Sequence, residues 1–151
     1  MSTALTIHER YMRIALAEAA AAAAEGEVPI GAVVVGPDGS ILGRGHNLTE
    51  RLADVTAHAE MQAITAAAAT LGGKYLDDCT LYVTVEPCLM CAGAIGWSHL
   101  KCIVIGTPDP KGGYLAATSR SPFHPRATVV EGVLADDCRA LMQAFFRSRR
   151  R

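Results

Sequence analysis

Thr80-Leu81-Tyr82-Val83-Thr84-Val85 runs straight into Glu86-Pro87-Cys88-Leu89-Met90-Cys91, and this join of strand to helix decides the architecture. The first six residues are rich in β-branched and aromatic side chains, which fit a pleated, buried strand. Pro87 then opens a helix at the position where a missing N–H costs nothing. Cys88 and Cys91 are three apart at that helix start, so both sulfurs lie on one face. The positive end of the helix dipole favours thiolates, the form that binds metal.

The same grammar extends both ways along the chain. Thr6 to about Ala24 reads as an alanine-rich helix ended by Glu25-Gly26, with Pro29 just beyond. Ile30 to Val35 is an apolar run of strand length, Gly36-Pro37-Asp38-Gly39 is turn chemistry, and Ser40 to Gly45 returns as a second strand. Thr56 is expected to cap a helix from about Ala57 to Leu71, stopped by Gly72-Gly73. Lys101 to Gly106 and Thr128 to Leu134 complete the strands. Between them, 107–126 is a Pro-, Gly- and Ser-rich loop with at most one helical turn. Asp136 or Asp137 caps a last helix carrying Leu141, Met142, Phe145 and Phe146. This order predicts an α/β fold: a mixed five-stranded sheet with helices on both faces.

Thr56-Ala57-His58-Ala59-Glu60 is the second stretch that carries chemistry. With Cys88 and Cys91 it offers one imidazole, two thiols and one carboxylate. Three such ligands and one open position describe a catalytic zinc site, with the carboxylate left free to move protons. Zinc held this way activates water, and Glu60 is placed to act as the proton shuttle for attack on an amidine-like carbon. A thiol–disulfide redox site also uses Cys-x-x-Cys, but leaves His58 and Glu60 without work. A structural zinc site would need a fourth ligand nearby. Cys79, Cys102 and Cys138 read as ordinary packing residues, Met61 and Met90 as core, and Trp97 as core or interface.

Composition sets the outer limits. A chain of 151 residues, half of them hydrophobic and 19% charged, fits one folded domain over 1–151 and excludes disorder. The net charge of -1 announces no nucleic-acid partner, yet Arg147, Arg149, Arg150 and Arg151 crowd the last five positions. That end is either a solvated face or a phosphate-contacting tail. Five cysteines, three of them isolated, match a reducing cytoplasm rather than a disulfide framework. The N-terminus lacks the order of a secretory signal, and the Ala19 to Ala24 run is too short for a bilayer, so no membrane association is expected.

The pairing of His58-Ala59-Glu60 with Pro87-Cys88-Leu89-Met90-Cys91 resembles the signature of the zinc-dependent nucleoside and nucleobase deaminases. His8 to Arg13, Glu27 to Val33, Thr80 to Gly93, Gly132 to Cys138 and the ending Phe145-Phe146-Arg147 are similar to the bacterial tRNA-specific adenosine deaminases within that group. The resemblance implies a three-layer α/β/α, cytidine-deaminase-like fold and a homodimer with one zinc per subunit. His58, Cys88 and Cys91 would be the metal ligands and Glu60 the proton shuttle. The implied reaction uses zinc-bound hydroxide to convert the wobble adenosine of a tRNA anticodon, in an arginine tRNA, to inosine. Asn47 matches the asparagine that hydrogen-bonds the base. Asp109 matches a substrate-loop aspartate, read here as a ribose 2′-OH contact. Lys111, Phe145, Phe146 and Arg147 would hold flanking anticodon-loop nucleotides. After Lys111 the chain reads Gly112-Gly113-Tyr114-Leu115-Ala116-Ala117, which departs from the family's small-residue stretch, and Trp97-Ser98-His99 varies too. The same zinc chemistry on free guanine, cytosine or a nucleoside is the alternative.

Overall fold

Gly31–Val35 is buried along its whole length, as a strand covered on both faces must be, and it forms the second strand of the sheet. The computed structural model describes residues 3–149. Its elements are α1 (Thr3–Ala24), β1 (Gly31–Val35), β2 (Ile41–His46), α2 (Ala59–Leu71) and β3 (Thr80–Val85), then α3 (Leu89–Trp97), β4 (Cys102–Thr107), α4 (Tyr114–Ala117), β5 (Thr128–Val130) and α5 (Ala135–Arg149). The strands lie in the order β2-β1-β3-β4-β5. β1 is antiparallel to β2 and β3, whereas β3, β4 and β5 are parallel.

Alternation along the strands divides the core in two. Val33, Val35, Tyr82 and Val104 pack with Tyr11, Met12 and Ala15 of α1 and with Cys138 of α5. Ala32, Val34, Leu81, Val83, Ile103 and Ile105 face the other way, onto Ala59, Ala63 and Ala67 of α2 and Ala92 and Ile95 of α3. The result is the expected three-layer α/β/α arrangement. The alanines of α2 bring that helix close to the sheet. At Gly45 a Cβ would sit 2.5 Å from the Ala59 carbonyl oxygen and 2.7 Å from the Ala63 nitrogen, so only glycine lets the start of α2 seat on β2.

Several boundaries differ from the sequence reading. Thr56 does not cap α2: its hydroxyl and backbone N–H both go to Asp54 Oδ1, and His58 is the N-cap. Pro87 precedes the helix rather than opening it, because Cys88 takes the N-cap of α3. β5 spans three residues, since Gly132 and Leu134 turn the chain at φ 80° and 54°. Asp136 and Asp137 lie inside the first turn of α5 instead of capping it. Met90 is exposed on α3 rather than buried in the core. The 107–126 segment does contain one helical turn, α4. Arg150 and Arg151 lie outside the described residues. Among the described residues no helix is long and apolar enough to cross a membrane.

His46 ties the end of β2 to α1. Its Nδ1 lies 2.9 Å from Glu18 Oε1 and its Nε2 3.3 Å from Glu25 Oε1, and Arg51 Nη1 lies 3.7 Å from that same Glu25 oxygen. Burial alone would lower the imidazole pKa, but the two carboxylates outweigh it and raise it. The folded protein therefore binds this proton more tightly than the unfolded chain. The stabilisation is fully present below the ordinary histidine value of about 6.5 and is lost as pH rises through the raised one. Melting temperatures of the parent and His46→Gln should differ most near pH 6 and converge toward pH 9. A gap that widens with pH would contradict this.

Candidate active site

The end of the sheet where β2, β3 and β4 finish and β1 begins is also where the N-termini of α2 and α3 meet. Ligands of open α/β sheets gather at this end of the parallel strands. His58 is the N-cap of α2 and Cys88 that of α3, both with extended backbone (ψ 158° and 171°) and neither using its side chain as a cap. A residue in that conformation projects off the helix end. The position normally given to a hydroxyl or carboxylate is here given to a metal-binding atom. Cys91, three residues into α3 from the cap, brings its sulfur to the same point.

His58 Nδ1, Cys88 Sγ and Cys91 Sγ all lie within 4.8 Å of one another, and Nδ1 is 3.6 Å and 3.5 Å from the two sulfurs. Tetrahedral zinc with a Zn–N bond of about 2.0 Å and Zn–S bonds of about 2.3 Å sets its ligand nitrogen and sulfur roughly 3.5 Å apart. The donor set and its spacing therefore fit zinc. The hydrogen bond from the Cys91 thiol lowers the Cys88 pKa to about 5, against the opposing effect of burial, with the nearby His58 and backbone N–H groups adding to the drop. Cys91 is pushed up by that shared proton, by burial and by Glu60. The pair thus favours a thiolate at Cys88 and a thiol at Cys91, and a bound soft cation would displace the remaining proton.

Glu60 is only 3% exposed, on the first turn of α2. Burial pushes its carboxyl up to about 7, helped by the Cys88 charge and opposed by its own backbone N–H, by His58 and by Cys91. It stands beside the donor set without belonging to it.

Around this centre the structure gathers some predicted residues and disperses others. Asn47 is buried, its Oδ1 accepting the Thr49 N–H at 3.4 Å, and it lines a cavity of about 230 Å³ with His58, Ala59, Val28, Ile30 and Thr49. Val28 and Thr49 also border a second hollow of about 430 Å³, whose far wall is Phe145 and Arg149 of α5. Asp109 and Phe146 share a different cavity, about 500 Å³, with Arg139 and Met142. Asp109 Oδ1 accepts the N–H groups of Lys111 and Gly112, closing its own turn. Lys111 and Arg147 are exposed. Sequence reasoning saw Arg149 only as part of the terminal basic run; its Nη2 donates to the Gly26 carbonyl at 2.9 Å while the guanidinium sits 4.6 Å from the Phe145 ring centre. It passed over the buried carboxylates of Glu27 and Glu86, each visible only as a lone charge beside an apolar strand.

Two donors on helix N-caps, a third one turn into α3 and a buried glutamate beside them form a candidate catalytic zinc site in an α/β/α fold. Residues 5–107 match the family described as the cytidine and deoxycytidylate deaminase zinc-binding region, and the chain belongs to that family. Within it, the chain is 45% identical to the tRNA-specific adenosine deaminase of Bacillus subtilis, covering 97% of this chain and 93% of that protein. A solved structure from work on A-to-I editing by tRNA:A34 deaminases superimposes with a TM-score of 0.81 at 40% identity, over 87% of this chain and 98% of that one. The guanine deaminase of Nitrosomonas europaea is similar at a TM-score of 0.78 and 26% identity, over 91% of this chain and 83% of that one.

Proposed function

We propose that the chain, read as one domain over 1–151, deaminates adenosine to inosine at the wobble position of a tRNA anticodon, an arginine tRNA being the expected substrate. The observation that carries the chemistry is the His58, Cys88 and Cys91 donor set with Glu60 buried beside it and free of it. What supports adenosine in RNA over a free base is the 45% identity along nearly the whole chain to a tRNA-specific adenosine deaminase.

His58, Cys88 and Cys91 would hold one zinc ion per subunit. When bound, zinc supplies a Lewis acid that lets water give up a proton near neutral pH. Glu60 takes that proton and passes it to a nitrogen of the purine ring as oxygen adds to the amino-bearing carbon. It then moves the second proton to the departing amine, so that adenosine and water become inosine and ammonia. Asn47, with an amide that both donates and accepts, orients the base in the cavity beside His58. At about 230 Å³ that cavity is small for a ligand pocket, which suits one flipped base with its ribose outside. Asp109 would meet the ribose 2′-OH, and Lys111, Phe145, Phe146 and Arg147 the flanking nucleotides. Leu89, Met90 and Trp97 leave apolar surface exposed on α3, as Leu52 and Val55 do on the 47–57 loop, and these faces suit a homodimer. Five free thiols suit the cytoplasm.

The test offers zinc-loaded protein an anticodon stem-loop with a wobble adenosine, in parallel with free guanine, cytosine and adenosine, and reads products by mass. Inosine in the stem-loop alone is the expected result. Turnover of a free base with the stem-loop untouched would leave the family chemistry standing and reject the RNA substrate.

A further inference from the structure

Two carboxylates are buried close to the site without an ion-pair partner among the described residues: Glu27 between α1 and β1, at 1% exposure, and Glu86 between β3 and α3, at 6%. Removing a carboxylate from water without a cation is costly unless hydrogen bonds replace the lost solvation. Each one is solvated by the backbone of a distant loop. Glu27 Oε1 and Oε2 accept the N–H groups of Glu50 and Arg51 at 3.1 and 2.7 Å. Glu86 Oε1 and Oε2 accept those of Asp109 and Leu115, both at 3.1 Å.

The two loops so held carry Asn47, Asp109 and Lys111 of the proposed substrate contacts, the rest lying on α5. Glu27 grips the 47–57 loop, which supplies Asn47 and Thr49 to the cavity and leads into His58. Glu86 grips the 108–113 loop, which supplies Asp109 and Lys111, and it is covalently joined to the zinc segment through Pro87 and Cys88. The second loop is further pinned by Tyr114 N–H donating to the Pro87 carbonyl at 2.9 Å and by Glu86 N–H donating to Thr107 O at 2.9 Å. At Gly113 any Cβ would run into the Glu86 carboxylate, so glycine there is what lets the loop lie against it. The segment that departs from the family pattern is thus shaped to this anchor.

We infer that Glu27 and Glu86 are positioning residues: Glu27 clamps the wall that Asn47 and Thr49 give the cavity beside His58, and Glu86 clamps the loop that presents Asp109 to its separate cavity, each to the frame that carries the donor set. The inference rests on the proposed RNA substrate for what the two loops contact, but the clamping itself does not. Only a carboxylate offers two acceptors and no donor; the amide of glutamine would turn an N–H against one of the loop N–H groups at nearly unchanged volume.

The test makes Glu27→Gln and Glu86→Gln separately in the zinc-loaded protein and measures zinc content, stem-loop kinetics and amide hydrogen exchange. Each variant should keep its zinc and its kcat, raise KM about tenfold, and speed exchange only in its own loop, 47–57 for one and 108–115 for the other. Unchanged KM with unchanged loop exchange would overturn the inference. So would loss of zinc or of protection in β3, which would make the residues supports of the fold as a whole. Should the parent protein ignore the stem-loop, the substrate reading fails by itself, and loop-specific exchange still decides the clamps.

Discussion

Glu60→Gln should bind zinc like the parent protein and turn over its substrate about 10⁴-fold more slowly, at the upper end of what a positioned acid–base group contributes. In the proposed mechanism both proton transfers pass through Glu60, and among the described residues no carboxylate joins the His58, Cys88 and Cys91 cluster. Gln preserves the volume of a fully packed side chain but can neither take nor release the proton. The variant therefore separates chemistry from folding. Zinc content by elemental analysis and single-turnover rates are the two readouts. A near-parental rate would remove Glu60 from the mechanism, and loss of the metal would make it a ligand instead.

Replacing any of His58, Cys88 or Cys91 by alanine should abolish zinc binding and activity together. It should also lower the melting temperature by on the order of 10 °C, because a bound metal stabilises only the folded state. The drop should be largest for Cys91, which is fully buried in α3, since its removal also opens a cavity in the core. Chelation of the parent protein should reproduce the loss of activity. Alanine at Cys79 or Cys102 should retain the metal, as neither joins the donor set. Full zinc occupancy in Cys88→Ala, measured on dialysed protein, would exclude the N-cap of α3 as a ligand position.

How far the sequence could be read depended on the distance between interacting residues. Strands such as Thr80–Val85 were legible because β-branching and apolar runs are local properties, and the fourth strand, read at Lys101 to Gly106, falls one residue later at Cys102–Thr107. The donor set was legible because Cys88 and Cys91 are one helix turn apart, and because His58 and Glu60 stand together at another helix start. The helix starts were misread for a physical reason. Thr56 has the right chemistry for a cap, but Asp54 two residues earlier captures its hydroxyl and N–H, and the cap passes to His58. Which imidazole nitrogen faces the sulfurs depends on the angle at which α2 meets α3, so only the structure gives Nδ1. Glu27 and Glu86 stayed hidden because the N–H groups they accept are 23 to 29 residues away. Arg149 reads as one of a basic run until α5 docks beside Gly26, 123 residues earlier.

Zinc-edge X-ray absorption on the loaded protein tests the centre of this account most directly. The expected spectrum shows one imidazole nitrogen, two sulfurs and one light atom that exchanges with solvent, and it is unchanged in Glu60→Gln. Four protein ligands with no exchangeable position, or a spectrum altered by that substitution, would contradict it: the metal would be structural or the glutamate bound to it.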